Sequence, residues 1–513
     1  MSRFYVTTPI YYVNGAPHIG HAYTAVAADV LARWHRLDGH DVFFLTGTDD
    51  HGQKVEKAAQ DAGMDPQAFV DGVSAQFRAM SALMGISNDD FIRTTEERHK
   101  RACQALWRRL QASGDIYLGA YEGWYAVRDE AFYDEGELVT WPDGSRAAPT
   151  GAPVEWVREP SYFFRLSAWG DRLLALYDSH PEFVQPASRR NEVASFVRGG
   201  LRDLSISRTS FTWGVPVPDD PAHVMYVWLD ALTNYLSAVG WPDEDAPRWP
   251  FWPADFHLMG KDIIRFHAVY WPAFLMAAGL PVPRTIFGHG WWTASGEKMS
   301  KSLGNAVDVA ALVAAYGLDP VRYFLLREVP FGNDGDYSDA ALVRRLNVEL
   351  ANDLGNLAQR TLSQVAKNLG GVLPARGDAT AEDAALLAAA AALPDLLRGH
   401  LARVAFGDAL EEAWRVIRAA NAYIDHQAPW ALRKTDAARM ATVLGVLAEA
   451  IRAVATVLQP FMPGSMARML DQLGVPGDAR SLAALGAPLP AGIALPGPQG
   501  VFPRHVESAQ HPC

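Results

Sequence analysis

Two histidines three residues apart, His18 and His21, are the first candidates along the chain for binding an anionic ligand. They follow residues 4–13, a run rich in β-branched and aromatic residues that predicts a buried strand. Pro17 suits the first position of a helix, which we expect to end near Gly39. Both imidazoles would share one face of the helix N-terminus, where unpaired N–H groups and the dipole favour phosphate. The pair therefore predicts donors for a polyphosphate, with ordinary surface histidines as the alternative.

Two carboxylates, Asp49 and Asp50, follow a second predicted strand over residues 40–47. Strands and helices alternate up to about residue 114, which predicts a doubly wound sheet whose strand ends face one crevice. Asp49 at such a strand end could hold a substrate ammonium. Asp50 is predicted to cap the helix that begins at Gln53, and capping by either carboxylate is the alternative.

Two lysines, Lys298 and Lys301, stand three apart in a polar segment bounded by glycines, residues 296–305. Flexible lysines on a loop can close over a triphosphate and neutralise the charge that develops during transfer. Taken alone, a segment of this kind is more often a solvated surface turn.

The rest of the sequence predicts the strands and helices that surround these side chains. Residues 115–220 show short strands and turns, which predicts an insertion between two halves of the sheet. The sheet is predicted to resume with strands at residues 225–231, 255–262 and 284–290. A helix from about Ile263 would carry His267. Beyond Tyr337, helical spacing of apolar residues predicts helices over residues 341–367, 381–400, 405–422 and 437–458.

The bulk composition fits a soluble globular protein of two to four domains, with 513 residues, 49% hydrophobic and 20% charged. The net charge of −12 argues against indiscriminate nucleic-acid binding but leaves room for a local basic face. With only Cys103 and Cys513, neither a disulfide framework nor a cysteine zinc site is expected. We predict no membrane segment and a cytoplasmic location, because the N-terminus lacks a signal pattern. After Gly474 the tail is predicted to be irregular, with residues 501–504 docked on the body.

The histidine pair and the lysine segment, in this order, resemble the two signature motifs of the class I aminoacyl-tRNA synthetases. Within that class the chain most resembles the methionyl-tRNA synthetase family, and the resemblance extends from residue 7 to about residue 430. The stretches that carry it are residues 8–15, 47–52, 227–231, 260–263 and 425–430. The resemblance implies an α/β + α fold, with a Rossmann-like catalytic domain, a connective insertion and a helical anticodon-binding domain.

The predicted domain organisation has six segments. They are the first half of the catalytic domain (1–114), the connective insertion on the acceptor-stem side (115–220), the second half of the catalytic domain (221–285), the lysine loop with a stem-contact region (286–345), the anticodon-binding domain (346–475) and the tail (476–513).

The resemblance implies ATP-dependent activation of L-methionine to methionyl-adenylate, with release of pyrophosphate, and transfer to the 3′ end of initiator and elongator tRNA(Met). Mg²⁺ would lie on the phosphates. The implied catalytic residues, acting by positioning and charge neutralisation, are His18, His21, Lys298 and Lys301. The implied ATP-binding residues are Gly20, Gly260, Asp262, His289, Met299, Ser300 and Ser302. The implied methionine-binding residues are Pro9, Ile10, Tyr12, Asp49, Trp228, Ala231, Leu232, Tyr235, Ile263 and His267, with Asp49 on the α-ammonium. The implied anticodon-binding residues are Asn356, Arg360 and Trp430.

Departures from the family pattern carry two further expectations. Residues 121–139 hold none of the cysteine zinc knuckles that many bacterial relatives carry, so no structural zinc is expected. No extra C-terminal RNA-binding or dimerisation domain follows, which favours a monomer.

Other kinds of protein are weighed as alternatives. The leucine, isoleucine and valine enzymes carry a large editing insertion, which cannot fit here, and the cysteine enzyme uses a cysteine-ligated zinc, whose ligands are absent. Small nucleotidyltransferases share the histidine pair but lack the long helical part. A non-catalytic tRNA-binding paralogue is disfavoured because both histidines and both lysines are present.

Overall fold

A computed structural model describes residues 2–129, 131–294, 296–299 and 307–506, without the side chains of Tyr121, Glu297 and Lys298. The strands are β1 (Arg3–Tyr12), β2 (Asp41–Asp49), β3 (Asp90–Arg93), β4 (Ile116–Ala126), β5 (Ala131–Tyr133), β6 (Val139–Thr140), β7 (Arg146–Ala147), β8 (Glu155–Phe164), β9 (Val184–Gln185), β10 (Leu204–Ser205), β11 (Ser207–Arg208), β12 (Pro216–Val217), β13 (Asp220–Met225), β14 (Phe256–Gly260), β15 (Thr285–His289), β16 (Trp292–Ala294), β17 (Glu297–Lys298) and β18 (Gly335–Tyr337). The α-helices are α1 (Ile19–Leu37), α2 (Gln53–Asp61), α3 (Pro66–Leu83), α4 (Glu97–Ala112), α5 (Gly170–Ser179), α6 (Ala187–Arg198), α7 (Val227–Leu232), α8 (Asn234–Ser237), α9 (Trp271–Ala277), α10 (Val309–Tyr316), α11 (Leu318–Arg327), α12 (Asp339–Arg345), α13 (Asn356–Asn368), α14 (Ala381–Ala391), α15 (Leu393–Leu401), α16 (Phe406–Gln427), α17 (Pro429–Thr435), α18 (Ala437–Leu458) and α19 (Pro463–Gln472).

A six-stranded parallel sheet with the order β3-β2-β1-β14-β15-β9 forms the centre of the N-terminal part. The carboxyl ends of its strands meet at one edge, where open α/β sheets bind ligands. Helix α1 packs against β1 and β2. The predicted α/β + α architecture is confirmed, because every named element from α12 to α19 is helical.

The N-terminus of α1 differs from the sequence prediction. The prediction placed Pro17 at the first helical position, so that the cap would precede it. The helix instead begins at Ile19, and His18 is its N-cap. The imidazole of His18 accepts a backbone N–H of the first turn, which Pro17 could not do. The end of the helix near Gly39 is confirmed, since Asp38 is the C-cap and Gly39 has a φ of 83°.

The region between the sheet halves contains more than the short strands that we predicted. Strands β10, β8, β4 and β5 form an antiparallel sheet that stands apart from the parallel one. The helices α5 and α6, which the sequence reading missed, flank β9, and β9 pairs with β15 at the edge of the parallel sheet. The segment from α5 to α6 therefore belongs structurally to the main sheet.

The strand predicted over residues 225–231 is wrong. Strand β13 ends at Met225, and Val227–Leu232 is the helix α7, whose six residues are all buried. A short apolar run that is buried on every side shows no periodicity, so composition alone does not separate strand from helix. After β9, the next strand of the parallel sheet along the chain is β14.

The C-terminal part is a bundle in which α12 and α13 are joined by the π-helical segment Leu346–Gly355. Helix α18 packs against α13, α14, α16, α17 and α19. Ala381–Leu401 and Ala437–Leu458 are long and apolar enough to cross a membrane by length and composition. In the second stretch, 89% of the most apolar window is buried inside the protein, so its apolar residues form the core of the bundle. The predicted docking of the tail is confirmed, because Val501 and Phe502 are buried.

Candidate functional site

A cavity of about 460 Å³ lies at the carboxyl ends of β1, β2, β14 and β15. It brings together most of the residues for which the sequence predicted a role. Those that line it are Pro9, Ile10, Tyr12, His18, Gly20, His21, Asp49, Trp228, Ala231, Leu232, Tyr235, Gly260, Asp262, Ile263, His267, His289 and Met299. Their individual roles stay predictions.

The sequence reading missed other residues that line the same cavity, among them Asn14, Thr24, Lys54, Asn234 and Trp291. Each lies within a few residues of a motif that was identified. They could have been found by extending each motif into the next helix or beyond the next strand end. Lys54 lies at the start of α2, and Trp291 follows β15.

The predicted lysine loop is only partly described. The backbone of Lys298 lies in β17, which pairs with β16 next to the cavity. Ser300, Lys301 and Ser302 lie outside the described residues, as does the side chain of Lys298. Their contacts with a nucleotide stay a prediction.

The two signature imidazoles are fixed by backbone N–H groups at the start of α1. The N–H of Gly20 donates to Nδ1 of His18, and the N–H of His18 donates to Nδ1 of His21, both at 3.1 Å. The two rings stack with centroids 3.8 Å apart. Burial, with a smaller effect from His18, lowers the pKa of His21 well below its ordinary value.

This geometry assigns the protons. Because Nδ1 of a neutral His21 accepts a hydrogen bond, its proton lies on Nε2, which becomes a donor. The sequence reading treated the pair as neutralising charge. A neutral His21 donates through Nε2–H, and charge neutralisation by the pair stays a prediction.

His289 at the end of β15 has both ring nitrogens engaged within the protein. Burial lowers its pKa to about 4, so the ring is neutral. Nδ1–H donates to the carbonyl of Gly290 at 2.7 Å, and Nε2 accepts the hydroxyl of Thr24 at 2.6 Å. His289 therefore faces the cavity with ring atoms other than its nitrogens, and it ties β15 to α1.

The position of Asp262, just beyond β14, depends on a hydrogen bond from Trp291 and on the space that Gly260 leaves. The indole N–H of Trp291 donates to its Oδ1 at 3.2 Å. A Cβ on Gly260 would lie 2.6 Å from the same oxygen, so only glycine leaves room for this carboxylate. The position and its acceptor oxygens suit contact with a ribose.

One wall of the cavity, here called the aromatic wall, is formed by Tyr12, Trp228, Tyr235 and His267. Trp228 stacks on Phe266 with centroids 3.9 Å apart, and Tyr12 meets Trp228 edge-on at 6.2 Å. Burial lowers the pKa of His267 to about 4. Its Nδ1–H donates to the carbonyl of Ile263 at 3.0 Å, which leaves Nε2 to accept the hydroxyl of Tyr235 at 2.7 Å.

The two adjacent carboxylates after β2 have separate surroundings. Asp49 is the last residue of β2 and lines the cavity. Asp50 does not cap α2, whose N-cap is Gly52, so that prediction is wrong. Its carboxylate instead accepts hydrogen bonds from Arg93 Nε at 2.7 Å and from the hydroxyl of Thr95 at 2.8 Å. Hydrogen bonds from a guanidinium and a hydroxyl stabilise this carboxylate more than a helix cap would.

Two of the three predicted anticodon residues lie at a second, smaller cavity of about 210 Å³ in the helical part. Arg360 and Trp430 line it, and the guanidinium carbon lies 5.5 Å from the indole ring centre. The indole is 42% exposed, and Arg360 also forms an ion pair with Asp425. Asn356 is exposed one helical turn before Arg360 but does not line this cavity.

Two family models match the chain. Residues 4–362 match "tRNA synthetases class I (M)", and residues 373–511 match "Anticodon binding domain of methionyl tRNA ligase".

Curated relatives match over nearly the whole length. The chain is 58% identical over 507 residues to the methionine–tRNA ligase of Mesorhizobium japonicum, covering 98% of each. It is 56% identical over 511 residues to that of Mycobacterium tuberculosis, again covering 98% of each.

Solved structures agree with these matches. The M. tuberculosis methionyl-tRNA synthetase in complex with methionyl-adenylate superposes with a TM-score of 0.96 at 56% identity, covering 98% of this chain and 100% of the other. The apo form of the M. tuberculosis enzyme superposes with a TM-score of 0.91 at 52% identity, covering 99% of each.

Proposed function

This chain belongs to the methionyl-tRNA synthetase family of the class I aminoacyl-tRNA synthetases, and from that premise we propose how its residues divide the work. Its activity is that of a methionine–tRNA ligase, which activates methionine with ATP and transfers it to tRNA. The two steps need no protein nucleophile. The methionine carboxylate attacks the α-phosphate and pyrophosphate leaves; the terminal ribose hydroxyl of tRNA then attacks the methionyl carbonyl and AMP leaves.

We assign methionine to the aromatic wall. A thioether is polarizable, and each sulfur–aromatic contact contributes about 0.3–1.5 kcal/mol. Trp228, Tyr12 and Tyr235 supply aromatic contacts. His267 uses Nε2 to accept the Tyr235 hydroxyl, which orients the phenol oxygen toward the imidazole. Asp49, at the carboxyl end of β2, is the acceptor that we assign to the α-ammonium. Pro9, Ile10, Ala231, Leu232 and Ile263 complete the apolar lining.

We assign ATP to the end of the cavity where α1 begins. His21 donates from a neutral Nε2 to phosphate oxygens, and His18 stacks beside it. Gly20, Gly260, Asp262, His289 and Met299 surround the nucleoside. Lys298, Lys301, Ser300 and Ser302 would add donors and positive charge from the loop, which stabilises the departing pyrophosphate.

Mg²⁺ neutralises phosphate charge when it is bound. Asp49 and Asp262 are the carboxylates among the described residues that line the cavity, and Asp262 already accepts the indole of Trp291. We therefore propose that the ion is held by the triphosphate oxygens rather than by protein carboxylates.

We propose that Trp430, Arg360 and Asn356 read the anticodon of both initiator and elongator tRNA(Met). An exposed indole beside a guanidinium suits a base that is splayed out of a single-stranded loop. We also propose that the enzyme has no structural zinc, because the antiparallel insertion carries no cysteine. A monomeric, cytoplasmic enzyme is part of the same proposal.

One observation carries the assignment: a single cavity holds both the paired imidazoles of α1 and the wall of Trp228, Tyr235 and His267. ATP–pyrophosphate exchange without tRNA, measured for each amino acid in turn, tests it. We expect exchange with methionine only, and Trp228→Ala should raise the KM for methionine more than that for ATP. Exchange with another amino acid, or an unchanged methionine KM in Trp228→Ala, would refute the assignment of methionine to this wall.

A further inference from the structure

Asp230, in α7, is a fully buried carboxylate between two buried imidazoles. Nδ1 of His51 lies 2.7 Å from its Oδ2, and Nε2 of His99 lies 2.7 Å from its Oδ1. Neither histidine lines the cavity. Nothing in the division of work proposed above uses this arrangement.

The ionisation of Asp230 fixes the direction of its hydrogen bonds with the two imidazoles. Burial alone would raise the pKa of Asp230, but the contacts with His51 and His99 hold it well below its ordinary value. An ionised carboxylate only accepts, so both imidazoles donate to it. The other nitrogen of His99, Nδ1, lies 2.9 Å from the hydroxyl of Ser237 in α8.

The cluster joins three elements that surround the methionine end of the cavity. Helix α7 places Trp228, Ala231 and Leu232 on the cavity wall, and Asp230 lies between them. His51 lies two residues beyond Asp49, in the turn between β2 and α2. His99 belongs to α4, behind both. The carboxylate therefore links the turn that follows Asp49 to the helix that bears Trp228.

The turn has a second support. The N–H of Gly52 donates to the carbonyl of Trp213 at 3.0 Å, and the indole of Trp213 donates to the carbonyl of Asp50 at 2.6 Å. Trp213 holds the backbone of the turn, whereas Asp230 joins it directly to α7. Loss of the Asp230 carboxylate should shift the turn that follows Asp49 relative to α7, without unfolding the turn.

We propose that Asp230 is a positioning residue, which sets the separation between Asp49 and the Trp228 wall by accepting hydrogen bonds from His51 and His99. This inference rests on the assignment of methionine to that wall. The ammonium and the thioether are opposite ends of one substrate, so their protein contacts must be held at a fixed spacing. A small error in that spacing weakens methionine binding while the ATP end is untouched.

Asp230→Asn tests the proposal, because asparagine keeps the shape but replaces one acceptor oxygen with a donor. We expect the KM for methionine in pyrophosphate exchange to rise about tenfold to a hundredfold, with the KM for ATP within about twofold. The matched control is Asp255→Asn. Asp255 is a partly buried carboxylate that accepts from the N–H of Tyr5 at 2.8 Å, near the amino-terminal end of the sheet, and it does not line the cavity.

A merely structural role predicts a different result. Partial unfolding reduces the fraction of active molecules, and so kcat, but it leaves the methionine KM of the folded molecules unchanged. An unchanged methionine KM in Asp230→Asn would therefore overturn the proposal. If Trp228→Ala also leaves that KM unchanged, the assignment of methionine has failed, and the proposal fails with it.

A second pair of variants applies if Asp230→Asn does not fold. His51→Asn keeps an N–H donor near the position of Nδ1, whereas His51→Leu removes it. We expect His51→Leu to raise the methionine KM and His51→Asn to restore most of the loss. Equal methionine KM values for the two variants would overturn the proposal.

Metal analysis of the purified protein provides an independent check. The ligand-type atoms of His99, Cys103 and Asp230 lie within 4.8 Å of one another, close enough to hold a metal ion. We expect no bound metal, because hydrogen bonds already use these atoms. Stoichiometric metal that is lost in Cys103→Ser would overturn the hydrogen-bonded arrangement.

Discussion

At the scale of single residues, the position of its proton defines how His21 can bind a phosphate oxygen. The backbone N–H groups at the start of α1 occupy Nδ1 of both rings, which leaves Nε2 of a neutral His21 as a donor. A neutral N–H costs less to desolvate than an imidazolium and still binds a phosphate oxygen. We therefore predict that positive charge for the departing pyrophosphate comes from the lysine loop.

Substitutions of His21 should separate its proposed donation to phosphate from its acceptance of the His18 N–H at the start of α1. His21→Asn keeps an acceptor for the N–H of His18 but lacks a donor at the position of Nε2, whereas His21→Leu lacks both. We expect both variants to lose pyrophosphate exchange by roughly 10²–10³-fold, or about 2.7–4 kcal/mol, the usual effect of removing one transition-state donor. Only His21→Leu should also lower stability, by about 0.5–2 kcal/mol for the lost cap. Exchange kinetics and urea unfolding measure the two effects. Equal stability of the two variants would refute the capping role.

At the scale of elements, the ends of strands decide where the chemistry lies. Strand β2 ends at Asp49, β14 ends at Gly260, and β15 ends at His289. These ends were predictable from sequence because each is a short apolar run that stops at a polar or glycine-rich turn. Parallel pairing then brings them to one edge, although they lie far apart in the chain.

Other elements were not predictable from sequence for physical reasons. Residues 227–232 are buried on all sides, so they form a helix without a helical pattern of polar residues. Helices α5 and α6 lie inside a segment whose turns and short strands suggested an insertion. The prediction that Asp50 caps α2 failed because its partner, Arg93, lies in β3. Sequence spacing does not show such contacts between distant elements.

Gly260→Ala tests how the end of β14 sets the nucleotide site. The added Cβ would lie 2.6 Å from Oδ1 of Asp262, so the carboxylate must turn away and lose the indole N–H of Trp291. We expect the KM for ATP to rise by roughly 10- to 100-fold, equivalent to about 1.5–3 kcal/mol for a hydrogen bond to a charged group. The methionine KM should stay within about twofold.

Gly497→Ala is the matched control for this substitution, because a Cβ there meets no atom within 4 Å. It should leave both KM values unchanged. If Gly260→Ala behaves like Gly497→Ala, Asp262 does not contact the nucleotide.

At the scale of the whole molecule, a buried ion pair joins the catalytic helix α1 to the C-terminal bundle. Arg322 and Asp29 are both fully buried and lie 2.7 Å apart. The same guanidinium donates to the carbonyls of Pro460 and Phe461, between α18 and α19. The reaction cavity and the cavity beside Trp430 are thus parts of one connected structure, but among the residues that the structure describes they share no lining residue. Adenylate formation and tRNA selection should therefore respond to different substitutions.

Trp430→Ala tests that separation. The exposed indole lies beside Arg360, and a stacked base is worth roughly 1–3 kcal/mol. We expect aminoacylation of tRNA(Met) to fall by about 5- to 150-fold in kcat/KM, while pyrophosphate exchange without tRNA is unchanged. Trp430→Phe should retain part of the tRNA effect because it keeps an aromatic face. Leu396→Ala is the control, since Leu396 is also 42% exposed, lies in the same bundle and does not line the Trp430 cavity. A loss of exchange in Trp430→Ala would show that the indole supports the fold rather than the anticodon.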